Sequence, residues 1–382
     1  MRDTLHEASV EALLPSPRPV QLLDPTGAPV AQSGTRRPYP MPSADRLQDV
    51  WRHMVLGRRF DLQATALTKQ GRLAVYPSSR GQEACQVGAI RSLTARDWVF
   101  PTYRESMALV TRGIDPVEVL ALLRGSAHCG YDPPAQRTAA QCTPLATQLV
   151  HAAGTAYGLK RRGEDCVALG FIGDGATSEG DFHEALNFAA VFDAPAIFFV
   201  QNNKYAISVP LSKQTKAPSL AYKGIGYGVA CEQVDGNDPA AVMAVMDAAL
   251  DHCRSGRGPF LIEAHTYRLD AHTNADDASR YRSGDEVTAW LERDPIARLE
   301  AYLRASGLLN DDQANAVRQE AEALATDLRN RMNTNPEVDP MSLFDNVFAS
   351  PTPQVAEARA MVEAEIKAEM NAEMQTAEEV TR

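Results

Sequence analysis

Asp174 and Asn203 are the first residues whose types and spacing suggest chemistry. Asp174 follows the apolar run CVALGFI through Gly173, and Asn203 follows the apolar run APAIFFV through Gln201-Asn202. A carboxylate and an amide both offer hard oxygen atoms, and here they lie about thirty positions apart at the ends of consecutive strand-like runs. Magnesium prefers such oxygens and usually keeps coordination positions for phosphate. Gly173 and Gly175 flank the acid and let backbone approach a ligand closely. Either dipeptide alone reads as a turn or loop. Together they ask for a diphosphate held through Mg²⁺.

The elements between them must place both groups on one edge. Phe182, Ala185, Leu186, Ala189 and Phe192 recur at three- and four-residue spacings, which predicts an amphipathic helix between two strands. A right-handed βαβ unit of this kind puts both strand carboxyl ends on the same side. A helix starting near Ser178 would turn its free N–H groups toward that edge, the general ligand position in open α/β sheets.

The same alternation extends along the chain. DWVFPTY, CVALGFI, AIFFVQ, ACEQVDG and PFLIEAHTY read as strands. Asp-Pro opens predicted helices at 115, 238 and 294, where aspartate caps and proline costs no hydrogen bond. Ser283 and Glu286 have capping-box spacing. The expected fold class is α/β, a mostly parallel sheet with helices on both faces. Residues 1–42 read as an extended, proline-rich arm, 43–309 as the ligand-binding domain and 310–382 as an acidic helical appendage.

The 382 residues are 44% hydrophobic, enough for a large core, and carry a net charge of −11. That balance disfavours nucleic acid or an anionic membrane as the main partner. No apolar run reaches the ~20 residues of a bilayer span, and the start of the chain lacks the apolar segment of a signal peptide. The six cysteines form no CxxC pair, which points away from a zinc site and toward a reducing, cytoplasmic compartment.

GDG followed by NN resembles the thiamine diphosphate motif. From about Ser43 to Phe348 the chain resembles the α subunit of the E1 component of 2-oxo acid dehydrogenase complexes, through YRE at 103, TPLATQ at 143, GDGATSEGD at 173, QNNKYAIS at 201 and TYRLDAHTNADDASRYRS at 266. The resemblance implies the thiamine-diphosphate-binding fold, with Mg²⁺ held by Asp174, Asn203 and the Tyr205 carbonyl. It implies diphosphate contacts from Tyr103 and Arg104, and Gly173, Gly175 and Ala176 near the phosphates. Thr143 and Leu145 would lie against cofactor or substrate. His272, with Arg268 beside it, would assist chemistry on substrate or lipoyl group. Cys142, Pro144, Thr147 and Gln148 match a potassium site of branched-chain members, with Cys142 replacing a serine. Gln201 stands where some members have a phosphate-contacting arginine. Thr273 replaces the serine that is phosphorylated in mammalian relatives.

The implied activity is oxidative decarboxylation of a 2-oxo acid and transfer of the acyl unit to the lipoyl group of a partner E2. SEGD, TPLATQ and DDASRYRS lean toward branched-chain substrates. Pyruvate is the near alternative, and acetoin a more distant one. The sequence offers no second half-site for the aminopyrimidine, so a β subunit in an α₂β₂ assembly is expected. Rival classes are a Mg²⁺-dependent phosphotransferase or phosphatase using Asp174, and a non-catalytic scaffold. Of the other histidines, His6, His53, His183 and His252 read as structural or surface residues and His151 and His265 as packing. His128, in a glycine-flanked loop, is a candidate to approach the site. GIGYG at 224–228 is a poor dinucleotide fingerprint.

Overall fold

In the computed structural model, five strands make one sheet: β1 (Trp98–Phe100), β2 (Ala168–Gly173), β3 (Ala196–Asn202), β6 (Ala230–Asp235) and β7 (Phe260–His265). Their order is β1-β2-β3-β7-β6, and every pairing is parallel. Two short strands, β4 (Tyr205–Ala206) and β5 (Val209–Pro210), form a separate antiparallel pair just after β3. The structure describes residues 6–32, 34–126, 128–334, 339–345 and 347–380, without the side chains of 6–9 and 373–380. The first five arm residues and the His6 side chain therefore lie outside the described residues.

Alternate strand residues enter different cores, as the two-residue period of a strand demands. Leu169, Phe171, Ile197, Phe199, Phe260 and Ile262 pack with the helices Ala44–Lys69, Glu83–Ser92 and Pro239–Arg254. Ala168, Ile172, Phe198, Val200 and Leu261 pack with the helices Thr147–Arg161 and Gly180–Val191. Both sheet faces are covered, which is why these strands read as continuous apolar runs rather than alternating ones.

The Asp-Pro signals become helix starts. Asp115 accepts from the N–H of Val117 and Glu118, Asp238 from Ala241, and Asp294 from Ile296 and Ala297; each cap is typically worth ~1 kcal/mol. The capping box at 283 forms only in half. Ser283 accepts from the Glu286 N–H, but the Glu286 carboxylate instead accepts from the Tyr205 hydroxyl at 2.8 Å.

The chain divides into two compact units, Met1–Asn333 and Thr334–Arg382, so the division at 309/310 expected from the sequence falls inside the first. The helix Asp311–Met332 packs along Ala44–Lys69 and places Leu328 and Met332 beside Phe60, Ala64 and Leu67. The described part of the arm is also built into the first unit. Val20 donates to Gln233 O (2.8 Å) and accepts from Asp235 N–H (3.0 Å), which covers the edge strand β6. Buried Glu232 accepts from Ser16 N–H at 2.6 Å and from the Tyr39 hydroxyl at 2.5 Å. The second unit contains a short turn, Pro340–Phe344, and the helix Pro353–Val380.

Candidate active site

The register sets Gly173 opposite Gln201, so β2 and β3 end together. Asp174 follows β2 and opens the tight turn Gly175–Ser178; the longer helix begins only at Gly180, a little later than Ser178. After β3 the backbone reverses through Lys204 (φ 77°) and Ile207 (φ 54°), both left-handed, and carries Tyr205–Ala206 back over the strand ends. Gly175 permits this. A Cβ there would lie 2.4 Å from Ala206 Cβ, whereas the space beside Gly173 is open.

Asp174 and Asn203 are buried, 1% and 6% exposed. The Asn203 side-chain oxygen stands 3.2 Å from Asp174 Oδ1 and 3.0 Å from Tyr205 O, while its nitrogen donates to Gln82 Oε1 at 3.1 Å. Its one donor is a long bond from Tyr205 N–H, 3.3 Å. Three acceptor oxygens so close repel one another unless a cation joins them or the amide turns to donate. With Mg–O distances of about 2.0–2.1 Å, adjacent octahedral ligands lie about 3 Å apart, and the observed separations match. Burial raises the Asp174 pKa, opposed by a hydrogen bond from Gln214 Nε2 (2.7 Å); a cation would reverse that shift. No group of three or more His, Cys, Asp or Glu residues suited to a metal occurs among the described residues. This donor set is of another kind: one carboxylate, one amide and one carbonyl.

These oxygens face a cavity of about 480 Å³, lined also by Tyr103, Arg104, Thr143, Leu145, Gly173, Gly175, Ala176, Arg268 and His272. Residues as far apart in sequence as Val75 and Thr273, 198 positions, thus share one space. Cys142, Pro144, Thr147 and Gln148 lie outside the lining. Among them the Cys142 thiol donates to Pro144 O (3.2 Å), Thr147 Oγ1 donates to Asp181, and the buried Gln148 Oε1 has no partner. Exposed His128 does not line the cavity either.

His272 is held by two guanidinium groups. Arg104 Nη2 lies 3.1 Å from His272 Nδ1 and donates to His272 O at 3.0 Å; Arg268 Nη1 lies 3.4 Å from the same Nδ1. Arginine only donates, so Nδ1 must accept and the ring proton sits on Nε2. Burial, then Arg104 and Arg268, push the imidazole pKa down to about 4, against the opposing Asp276. The ring is neutral at pH 7. Arg268, 1% exposed, donates to Tyr205 O (3.2 Å), Ile207 O (2.7 Å) and the Tyr281 hydroxyl (2.9 Å). It therefore ties the His272 loop to the β4 turn.

Motif reading did not single out Glu105 or the apolar wall. Glu105 accepts from Thr102 N–H and, at 2.7 Å, from Gln201 Nε2, so Gln201 fixes a buried carboxylate in the lining. Val75, Pro77, Leu123 and Ile207 also line the cavity. They come from loops and short turns without periodic pattern; the one available signal was Glu105 itself, next to Arg104 in YRE.

Residues 51–341 match the model of the family described as "Dehydrogenase E1 component". The chain belongs to this family. Among its relatives is the 3-methyl-2-oxobutanoate dehydrogenase subunit alpha of Mycobacterium tuberculosis (strain ATCC 25618 / H37Rv), 45% identical over 348 residues, covering 91% of this chain and 94% of the relative. The pyruvate dehydrogenase E1 component subunit alpha of Staphylococcus aureus (strain N315) is 39% identical over 305 residues, 80% and 81% of the two chains. This E1 chain is thus an oxidoreductase-type α subunit, and family membership implies use of thiamine diphosphate and magnesium. No helix among the described residues is long and apolar enough to cross a membrane.

Proposed function

We propose that this chain is the E1 α subunit of a branched-chain 2-oxo acid dehydrogenase complex, acting on 3-methyl-2-oxobutanoate and its homologues. The observation that carries the reading is the convergence of the Asp174, Asn203 and Tyr205 oxygens in a cavity whose lining also includes Val75, Pro77, Leu123 and Leu145. Those three oxygens would hold Mg²⁺, and Tyr103 and Arg104 would receive the diphosphate, for which an arginine fork is suited. Gly173, with open space beside it, and Ala176 would lie against the phosphates. When bound, thiamine diphosphate supplies the carbanion-stabilising chemistry that decarboxylation of a 2-oxo acid needs. His272 would present its Nε2–H donor to the substrate carbonyl or to a sulfur of the lipoyl disulfide. Arg268 acts as a positioning residue, because its donors go to the Tyr205 and Ile207 carbonyls.

Val75, Leu123 and Leu145 offer aliphatic surface to a branched side chain, and the 45% identical M. tuberculosis relative carries the matching name. Pyruvate is the second reading, on the strength of the S. aureus relative. The half-site for the aminopyrimidine and the lipoyl acceptor would come from partners, an E1 β subunit in an α₂β₂ assembly and a lipoylated E2. The partnerless Gln148 Oε1 fits a K⁺ held by the loop of Cys142, Pro144 and Thr147. All six cysteines are free, in keeping with a reducing cytoplasm.

The test is to purify the chain alone and with its β partner, and to assay both with 3-methyl-2-oxobutanoate and pyruvate and an artificial electron acceptor. Activity confined to the mixture, with kcat/KM higher for the branched substrate, is expected. A preference for pyruvate would replace the substrate assignment, and full activity of the isolated chain would remove the need for a β half-site.

A further inference from the structure

A second cavity, of about 370 Å³, opens at the carboxyl ends of β6 and β7 and shares no lining residue with the first. Asp235 and His265, the last residues of those strands, form part of its wall, with Arg293, Arg298 and Trp290. The arm supplies the rest, including Arg18. Three guanidinium groups thus face one carboxylate in a chain whose net charge is −11.

Arg298 is 1% exposed, and its Nη1 donates to Asp235 Oδ2 at 2.8 Å. Its buried Nε and Nη2 have no hydrogen-bond partner. These two N–H groups form one edge of the guanidinium, the parallel pair that receives a carboxylate or phosphate through two oxygens. Arg18 and Arg293 are exposed and make no ion pair among the described residues; Arg293 instead lies over the Trp290 ring at 5.0 Å. His265 is engaged at both ring nitrogens, by Lys204 and Gln233, each at 2.9 Å, and the buried Glu263 carboxylate lies 3.8 Å from its Nε2. A buried donor edge without a partner is unfavourable, and three guanidinium-bearing residues lining one cavity suit an oxyanion.

We propose that this cavity binds a small organic anion, its phosphate or carboxylate head received by the free edge of Arg298 and by Arg18 and Arg293. The site needs nothing from the first cavity, so its test stands whichever substrate that cavity takes. The chain with its β partner would first be saturated with thiamine diphosphate and Mg²⁺, so that phosphate probes cannot enter the first cavity. Inorganic phosphate, adenosine 5′-phosphate and succinate would then be titrated separately by calorimetry. Saturable binding in at least one arm is expected; a response to phosphates alone or to succinate alone identifies the head group. The double variant Arg18→Gln/Arg293→Gln, altered only at exposed positions, should weaken that binding at least 10-fold with unchanged Tm and cofactor affinity. Arg298→Lys, which keeps the charge but removes the paired edge, should weaken it as well. Absence of binding by all three probes at 10 mM, or equal affinity in wild type and the double variant, would overturn the proposal.

Discussion

On one side of the first cavity Asp174 and Asn203 stand at the ends of β2 and β3, set by a parallel register that runs from Ala168–Ala196 to Gly173–Gln201. On the other side His272 stands in a segment, 266–283, whose regular structure is a single short turn, Ala278–Arg280. Polar side chains hold that segment. Arg282 donates to the carbonyls of Arg268, Leu269 and Asp270. Asp276 accepts from the His272 N–H (2.8 Å) and the Tyr281 hydroxyl. The strand side inherits its geometry from the buried sheet, whereas the loop side depends on a few bonds near solvent. One side should therefore respond to mutation as a loss of binding and the other as a loss of turnover.

Asp174→Ala gives the largest expected effect. It removes the only carboxylate among the three convergent oxygens, so thiamine diphosphate affinity should fall by more than the roughly 10–100-fold that outer partners of a metal site contribute. The measurement is cofactor titration with and without Mg²⁺. Unchanged affinity would move the metal site elsewhere and erase the contrast between the two sides.

His272→Ala should leave cofactor affinity near wild type and lower overall acyl transfer by about 10²–10⁴-fold, the usual range for general acid–base groups. Equal losses in binding and turnover would show that the loop side also holds the cofactor. The substitution also has a pH signature. The folded pKa of about 4 lies below the ordinary 6.5, so the unfolded chain binds more protons between these values. Stability from the neutral ring is complete above pH 6.5 and is lost as pH falls toward 4. The Tm advantage of wild type over His272→Gln should shrink across that window.

Arg282→Gln tests whether the loop is held as described. Because it acts through the 268–270 carbonyls and the Tyr267 ring, over which it lies at 5.5 Å, turnover should fall about 10-fold, less than the ~10²-fold that a 1 Å displacement of reacting groups can cost. Protease cleavage within 266–283 should rise, while cofactor affinity stays near wild type. A stable, uncut loop would place its order in contacts other than the Arg282 bonds.

The strand side was the more legible in sequence, for a local reason. A strand buried on both faces is a short apolar run, and the residue that follows it must lie at the sheet edge, so CVALGFI and APAIFFV announced the positions of Asp174 and Asn203. The Asp-Pro helix starts were legible in the same way, since each cap involves neighbours within three residues. Glu286 shows the limit. Its spacing from Ser283 predicted a reciprocal cap, but Tyr205, brought near by the fold, takes its carboxylate.

The sequence alone determined the alternation of strands and helices, the parallel sheet and the chemical type of the strand-end pair, because these follow from side-chain period and chain direction. Only the tertiary structure decided that the arm would cover β6, that two arginines would fix the His272 proton on Nε2, and that Arg18 would meet Arg298 around a second cavity. Those outcomes join residues far apart in the chain, and such contacts arise from packing and charge in three dimensions, which no local pattern records.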